Sequence, residues 1–210
     1  MNNLFKPLCL ISSIALVGCS GSSSDGAAAG AADLQGRWGT PCNANTAANT
    51  SGRTILTYTG ASFTVANTEF GNSIECDGPL FRSANGHYTY ALTGEETELG
   101  AGNAKNVDVT FVRGSYTGSP DYVDSLVAMG TTLESVLSAN EGITVADINN
   151  VTPAEFGITN LVEYTIYRVD TKPDGVLELR TGTTSGSPDA LTPETRATRL
   201  SLTRRFDRLP

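Results

Sequence analysis

The chain has 210 residues, 39% of them apolar, with 22 acidic against 14 basic side chains and a formal net charge of −8. That is enough apolar material for one core, and the wrong sign of charge for nucleic acid. The longest basic run is Arg204-Arg205, whereas phosphate neutralisation needs a cluster of cations.

The first 18 residues carry one charged side chain, Lys6, ahead of an apolar run from Leu8 to Val17. This is the composition of a secretory leader. As a helix the run covers about 15 Å of a roughly 30 Å hydrocarbon core, so it is too short to span. Its end, Leu16-Val17-Gly18-Cys19, resembles the bacterial lipobox. The resemblance implies that residues 1–18 are removed, that the Cys19 sulfur carries a diacylglycerol, and that the new amino group is acylated. Ser20, in place of Asp, implies delivery to the outer membrane, on its periplasmic face or at the cell surface. The membrane is then a partner through acylated Cys19. One acyl chain binds only marginally, at about 0.8 kcal/mol per buried methylene, so two or three are needed for a lasting anchor.

Residues 21–32 are Gly, Ser and Ala around a single Asp25. Such a segment has no face to bury and reads as a flexible tether, with a mean reach of about 20 Å. The folded domain is expected over 33–210.

Cys9 leaves with the leader and Cys19 takes lipid, so Cys42 and Cys76 remain as an even pair in an oxidising compartment. A disulfide between them is the expectation. Zinc fails on inventory, because two cysteines and His87 fall short of four ligands.

From Thr54 the pattern is mostly of period two. Thr54 to Tyr58, Phe63 with Val65, Tyr88 with Tyr90 and Leu92, and Val107 with Val109 and Phe111 form the first runs. Val162 with Tyr164 and Ile166, Leu177 with Leu179, and Leu200 with Leu202 and Phe206 complete them. Gly, Asn or Asp clusters bound the runs, as half-buried antiparallel strands require. Asp174-Gly175 after Pro173 is a tight-turn pair. About eight such strands make a mainly β domain, either a sandwich or a closed barrel.

One stretch, 119–158, breaks the period. Ser119-Pro120 reads as a helix cap and first turn before Tyr122, Val123, Leu126 and Val127. Thr131 with Glu134, and Thr152-Pro153 before Phe156, repeat the signal. Two roles fit a helical insertion of this kind: a lid or contact surface, and a cap over one end of the barrel.

Gly36-Arg37-Trp38 at the first strand and Arg204-Arg205 at the last resemble the lipocalin, or calycin, pattern. That likeness implies an up-and-down barrel closed at one end by Trp38, with Arg204 lying over its ring through a cation–π contact. The competing account makes Trp38 plain core. Gly-x-Trp with a nearby Cys also resembles bacterial lipoproteins of uncharacterised type.

No nucleophile elbow is present, and His87 has no foreseeable Asp or Ser neighbour; it reads as surface. Glu95, Glu96 and Glu98 fall in an acidic segment, Thr93 to Gly102, expected to be a solvated loop, where a raised carboxyl pKa is not available for acid catalysis. Asp147, Asn149 and Asn150 lack the spacing of a calcium loop. No catalytic residue, metal or cofactor is expected. Two functions remain. One is the binding of a small hydrophobic ligand against an inward wall of Tyr58, Phe63, Tyr88, Tyr90, Val109, Phe111 and Tyr164. The other is an interaction module whose helical insertion contacts another envelope protein.

Overall fold

A computed structural model describes residues 32–130, 162–182 and 192–210, with 132, 135 and 150–152 between them. Cys19, the leader, the tether and the second and third expected helices lie outside the described residues. Nine strands form one antiparallel sheet: β1 (Gly36–Gly39), β2 (Asn43–Asn45), β3 (Thr50–Thr59), β4 (Ser62–Gly71), β5 (Leu80–Leu99), β6 (Gly102–Gly118), β7 (Val162–Thr171), β8 (Leu177–Gly182) and β9 (Leu200–Arg208). Consecutive strands from β3 to β9 are neighbours. β1 then pairs with both β9 and β3, so eight strands close into a barrel-like ring and β2 is left on an edge. Of the two all-β architectures, the ring is the one formed.

Turn chemistry sets the register. Thr59 faces Ser62 across a two-residue turn whose Gly60 sits at φ 59°. Between β7 and β8, Gly175 adopts φ 84°, its N–H donates to Lys172 O, and the Asp174 carboxylate accepts from Val176 N at 3.1 Å. These φ values are the region where glycine carries no steric penalty.

Side-chain alternation then fills the interior. Leu34, Trp38, Leu56, Tyr58, Phe63, Val65, Tyr90, Val107, Tyr167, Leu179 and Phe206 form a single buried cluster. In β7 the parity is opposite to that expected. Val107 faces Thr165 and Val109 faces Glu163 across the ladder, and directly opposed residues share a face. Glu163, Thr165 and Tyr167 therefore point inward, and Tyr164 and Ile166 point out. The exterior set is apolar for a reason: Ile166 packs under a second cluster with Ala104 and Ala197, flanked by Leu99 and Leu200.

Two further expectations need correction. The acidic segment from Thr93 is not a loop; β5 continues through it to Leu99, with Glu96 opposite Lys105 and bonded by Asn103 Nδ2 at 2.8 Å. Its glutamates stay exposed. Leu202 does not join the inner face of β9 but is 82% exposed, because the β8–β9 register breaks between Arg180 and Gly182.

The helix α1 (Pro120–Ala128) starts as the cap signal required: Ser119 Oγ accepts from Tyr122 N at 3.1 Å. Tyr122 and Leu126 are buried, and Tyr122 meets Phe81 edge-on at 4.9 Å. An added Cβ at Gly118 would come within 2.8 Å of that tyrosine ring, so the close approach needs glycine.

Cys42 and Cys76 form the expected disulfide, with Cα atoms 5.8 Å apart. It ties the β1–β2 connection to the β4–β5 connection, and Cys76 N donates to the buried Ser51 Oγ at 2.9 Å. A crosslink over this 34-residue separation restricts the unfolded chain. Cys42→Ser/Cys76→Ser is therefore expected to lose about 3 to 4 kcal/mol, read as a lower urea midpoint.

Candidate binding site inside the ring

Five of the expected wall residues stack on one another. Tyr58 and Phe63 are parallel at 4.7 Å, Phe63 and Tyr88 at 4.9 Å, and Tyr88 and Phe111 are tilted at 5.2 Å. Tyr90 meets Tyr58 edge-on at 5.5 Å. The column follows from cross-strand pairing: Tyr58 faces Phe63, Phe63 faces Tyr88, and Tyr88 faces Phe111. The lower part, at Tyr58, Phe63 and Tyr90, is core. Val109 packs on the same cluster as a half-buried neighbour. Tyr164 is absent from the wall; it lies outside, under the guanidinium of Arg196 at 5.4 Å.

The expected Trp38–Arg204 pair is replaced by Trp38–Arg208. Trp38 is fully buried, its Nε1 donates to Leu34 O at 2.7 Å, and the Arg208 guanidinium sits 4.9 Å from its ring. Register decides this: Trp38 opposes Arg208 across the β1–β9 ladder. Arg208 also donates to Gln35 O, and Gly36, at φ 98°, leaves room for it, since a Cβ there would fall 2.5 Å from its Nη2.

Arg204 has a different place. Between Ser201 and Arg205, β9 bulges, and Ser201 Oγ accepts from Thr203 N at 3.2 Å and from Arg204 N at 3.1 Å. Bulges re-aim side chains. This one turns Leu202 out and brings Arg204 within electrostatic reach of Glu163 and Tyr88, with Arg204 Nη1 3.4 Å from Gly182 O. The hydroxyl of Thr165 has other neighbours: a Cβ on Gly182 would come within 2.5 Å of it, 2.8 Å of the Ala197 Cβ and 3.1 Å of Ile166 Cγ1, which belong to the second cluster. Thr165 is only 7% exposed, and its Oγ1 has no hydrogen-bond partner among the described residues.

The interior electrostatics follow from this placement. Loss of water pushes the Glu163 carboxyl up to about 7, with Arg204 pulling it back down. Burial drives Tyr88 up to about 12; Glu163 adds to the rise and Arg204 opposes it. Tyr58 and Tyr167 are raised further, mainly by desolvation. Glu163, Arg204 and Tyr88 are thus electrostatically coupled on the inner face, beside the aromatic column. They can hold a ligand's polar end by charge and hydrogen bonding. Among the described residues, no hydrogen bond pairs a nucleophile with a base there.

His87 lies on the other face, opposite Arg113, and its pKa is lowered by burial and by that neighbour. Sequence reasoning missed Glu163, Thr165 and Arg208. Alternation alone favoured Val162, Tyr164 and Ile166, and only the partner strands reveal which set is inside. No protein-family model matches the chain, and no curated protein matches its sequence.

Proposed function

We propose that this is a lipid-anchored, non-enzymatic outer-membrane lipoprotein that holds a small apolar-bodied ligand inside its ring of strands. The observation that carries the reading is Glu163 with Arg204 on the inner face. A ring built only as a scaffold gains nothing from them, because a charge kept from water costs stability unless it is tightly paired. A binding site uses such groups to orient cargo over an apolar floor. The Gly-x-Trp likeness to lipocalins and the lipobox at Cys19 support the same reading.

One experiment tests both halves. Native mass spectrometry of the protein purified from membranes is expected to show a chain starting at Cys19 with acyl mass, plus a co-purifying small molecule. Bare protein from several hosts would overturn the ligand, and an unmodified first residue would overturn the anchor.

The contact-module reading rests on α1, where Val123, Val127 and Met129 just beyond it are exposed. Crosslinking in intact envelopes to one repeated protein partner, lost in Val127→Asp, would favour it.

A further inference from the structure

We infer that the Cys42–Cys76 bond is a one-sided thiol-exchange site, at which a small thiol attaches to Cys42, frees Cys76 and opens only the 41–49 arm. That chemistry is separate from anything the ring holds.

Access gives the bond its direction. A thiolate attacks one sulfur of a disulfide, and the rate at each depends on how readily it is reached. Cys42 is exposed, as are Pro41, Asn43 and Ala44 around it. Cys76 is only 7% exposed. The incoming thiolate therefore bonds to Cys42 Sγ, the Sγ–Sγ bond breaks, and its electron pair leaves on Cys76 Sγ, which takes up a proton. A second thiol then removes the first as a symmetrical disulfide, so the two thiols supply the two electrons that reduce the bond.

The two ends are also held unequally. Cys76 keeps a left-handed backbone at φ 61°, a region that persists only where the surroundings fix it. They do so without the bridge. Cys76 N donates to the buried Ser51 Oγ at 2.9 Å, Glu75 N to Ser73 Oγ at 3.0 Å, and Gly71 N to Pro79 O at 2.9 Å. On the other side, β2 is three residues long and pairs with β3 alone. Once the bridge is cut, that short ladder is all that keeps β2 in place.

The opening is confined. Thr40 N donates to Thr54 O at 2.9 Å and Thr54 N to Thr40 Oγ1 at 3.0 Å, while Thr50 already belongs to β3. Only residues 41–49 lie between these fixed points. The ring closes elsewhere: β1 pairs with β3 from Gly36–Gly39 to Ile55–Tyr58, and with β9 at Trp38 and Gly39. Displacing β2 leaves the β3 backbone from Thr50 to Gly52 as an open sheet edge, the kind of edge on which another strand can pair.

The test uses the mature protein purified from membranes, treated with reduced glutathione, quenched in acid and alkylated with N-ethylmaleimide in denaturant. Cleavage after Arg37, Arg53 and Arg82 places the two cysteines on separate peptides, 38–53 and 54–82. Glutathione on 38–53 with an alkylated 54–82 is expected at least about tenfold above the reverse, and the excess should vanish in urea, where burial no longer shields either sulfur. Amide exchange should quicken over 41–49 while Trp38 fluorescence stays that of the oxidised protein. Two single variants check the direction without trapping an intermediate. Treated folded with glutathione disulfide, Cys42 in Cys76→Ser should be modified at least about tenfold faster than Cys76 in Cys42→Ser. Equal labelling of the two peptides in the folded protein, or a shift of Trp38 fluorescence on reduction, would overturn the one-sided opening. A bridge untouched by glutathione until urea unfolds the protein would overturn the exchange site and leave a plain structural crosslink.

Discussion

Trp38→Ala is expected to cost about 4 kcal/mol, the upper range for deleting a large core side chain. Trp38 is wholly buried, and the indole fills the closed end between Leu34 and the base of the aromatic column. Truncation removes three things at once: apolar burial, the Nε1 bond to Leu34 O and the ring under Arg208. A domain of this size typically has about 5 to 15 kcal/mol of stability. The urea midpoint should therefore fall steeply, and the weakest variants should lose cooperative unfolding. Arg208→Ala should cost much less, about 1 to 2 kcal/mol, since it removes the cation–π contact but leaves the ring. Arg204→Ala should leave the Trp38 environment, read by its fluorescence, unchanged. A Trp38 variant within 1 kcal/mol of the parent would show that the closed end collapses without it.

Arg196→Met is expected to be nearly as severe, at about 3 kcal/mol, because it strips a cation from partners that stay behind. Arg196 is almost fully buried. Its Nη1 donates to Val107 O and Thr165 O at 3.0 Å each, and its Nη2 to Asp108 Oδ1 at 2.6 Å. The side chain presses the segment before β9 onto the outside of β6 and β7, where Ala197 completes the Ile166 cluster. A capping box between Thr192 and Thr195 sets the direction from which it arrives. Adding Asp108→Asn should recover part of the loss, because the carboxylate left unpaired is then gone. Amide exchange across 192–199 should quicken in the single variant; unaltered protection there would contradict the latch.

How much of this could be read from the chain alone depends on how many partners a feature needs. The turn at Asp174-Gly175 and the cap at Ser119 depend on a few consecutive residues, and both formed as expected. Strand identity was equally local. The disulfide followed from counting cysteines. The inner and outer faces of β7 were not local at all. Val162, Tyr164 and Ile166 are as apolar as a core face because Ile166 has a second core to join. That second core exists only once residues 192–199 fold back. Arg204 and Arg208 differ by four positions on one strand, and the bulge at Ser201 together with the pairing of Trp38 to Arg208 decides which guanidinium meets the indole. Neither can be derived from spacing. Glu95, Glu96 and Glu98 read as a loop because strands disfavour Gly and acidic residues. A long β5–β6 hairpin tolerates them on faces open to water.

The route by which the chain enters the ring has a bearing on how cargo arrives. Asp33 is moored to Lys105 at 2.7 Å, and Gln35 straps the Gly60 turn through both its amide atoms. The described chain therefore begins at the Trp38 end, whereas α1 and the crosslinked connections leave β6 and β4 at the opposite rim. Acyl chains on the upstream side, as proposed, stand the molecule with its sealed base toward the bilayer. On the same proposal, a guest would be handed over from solution at the far rim rather than slide in sideways from the leaflet.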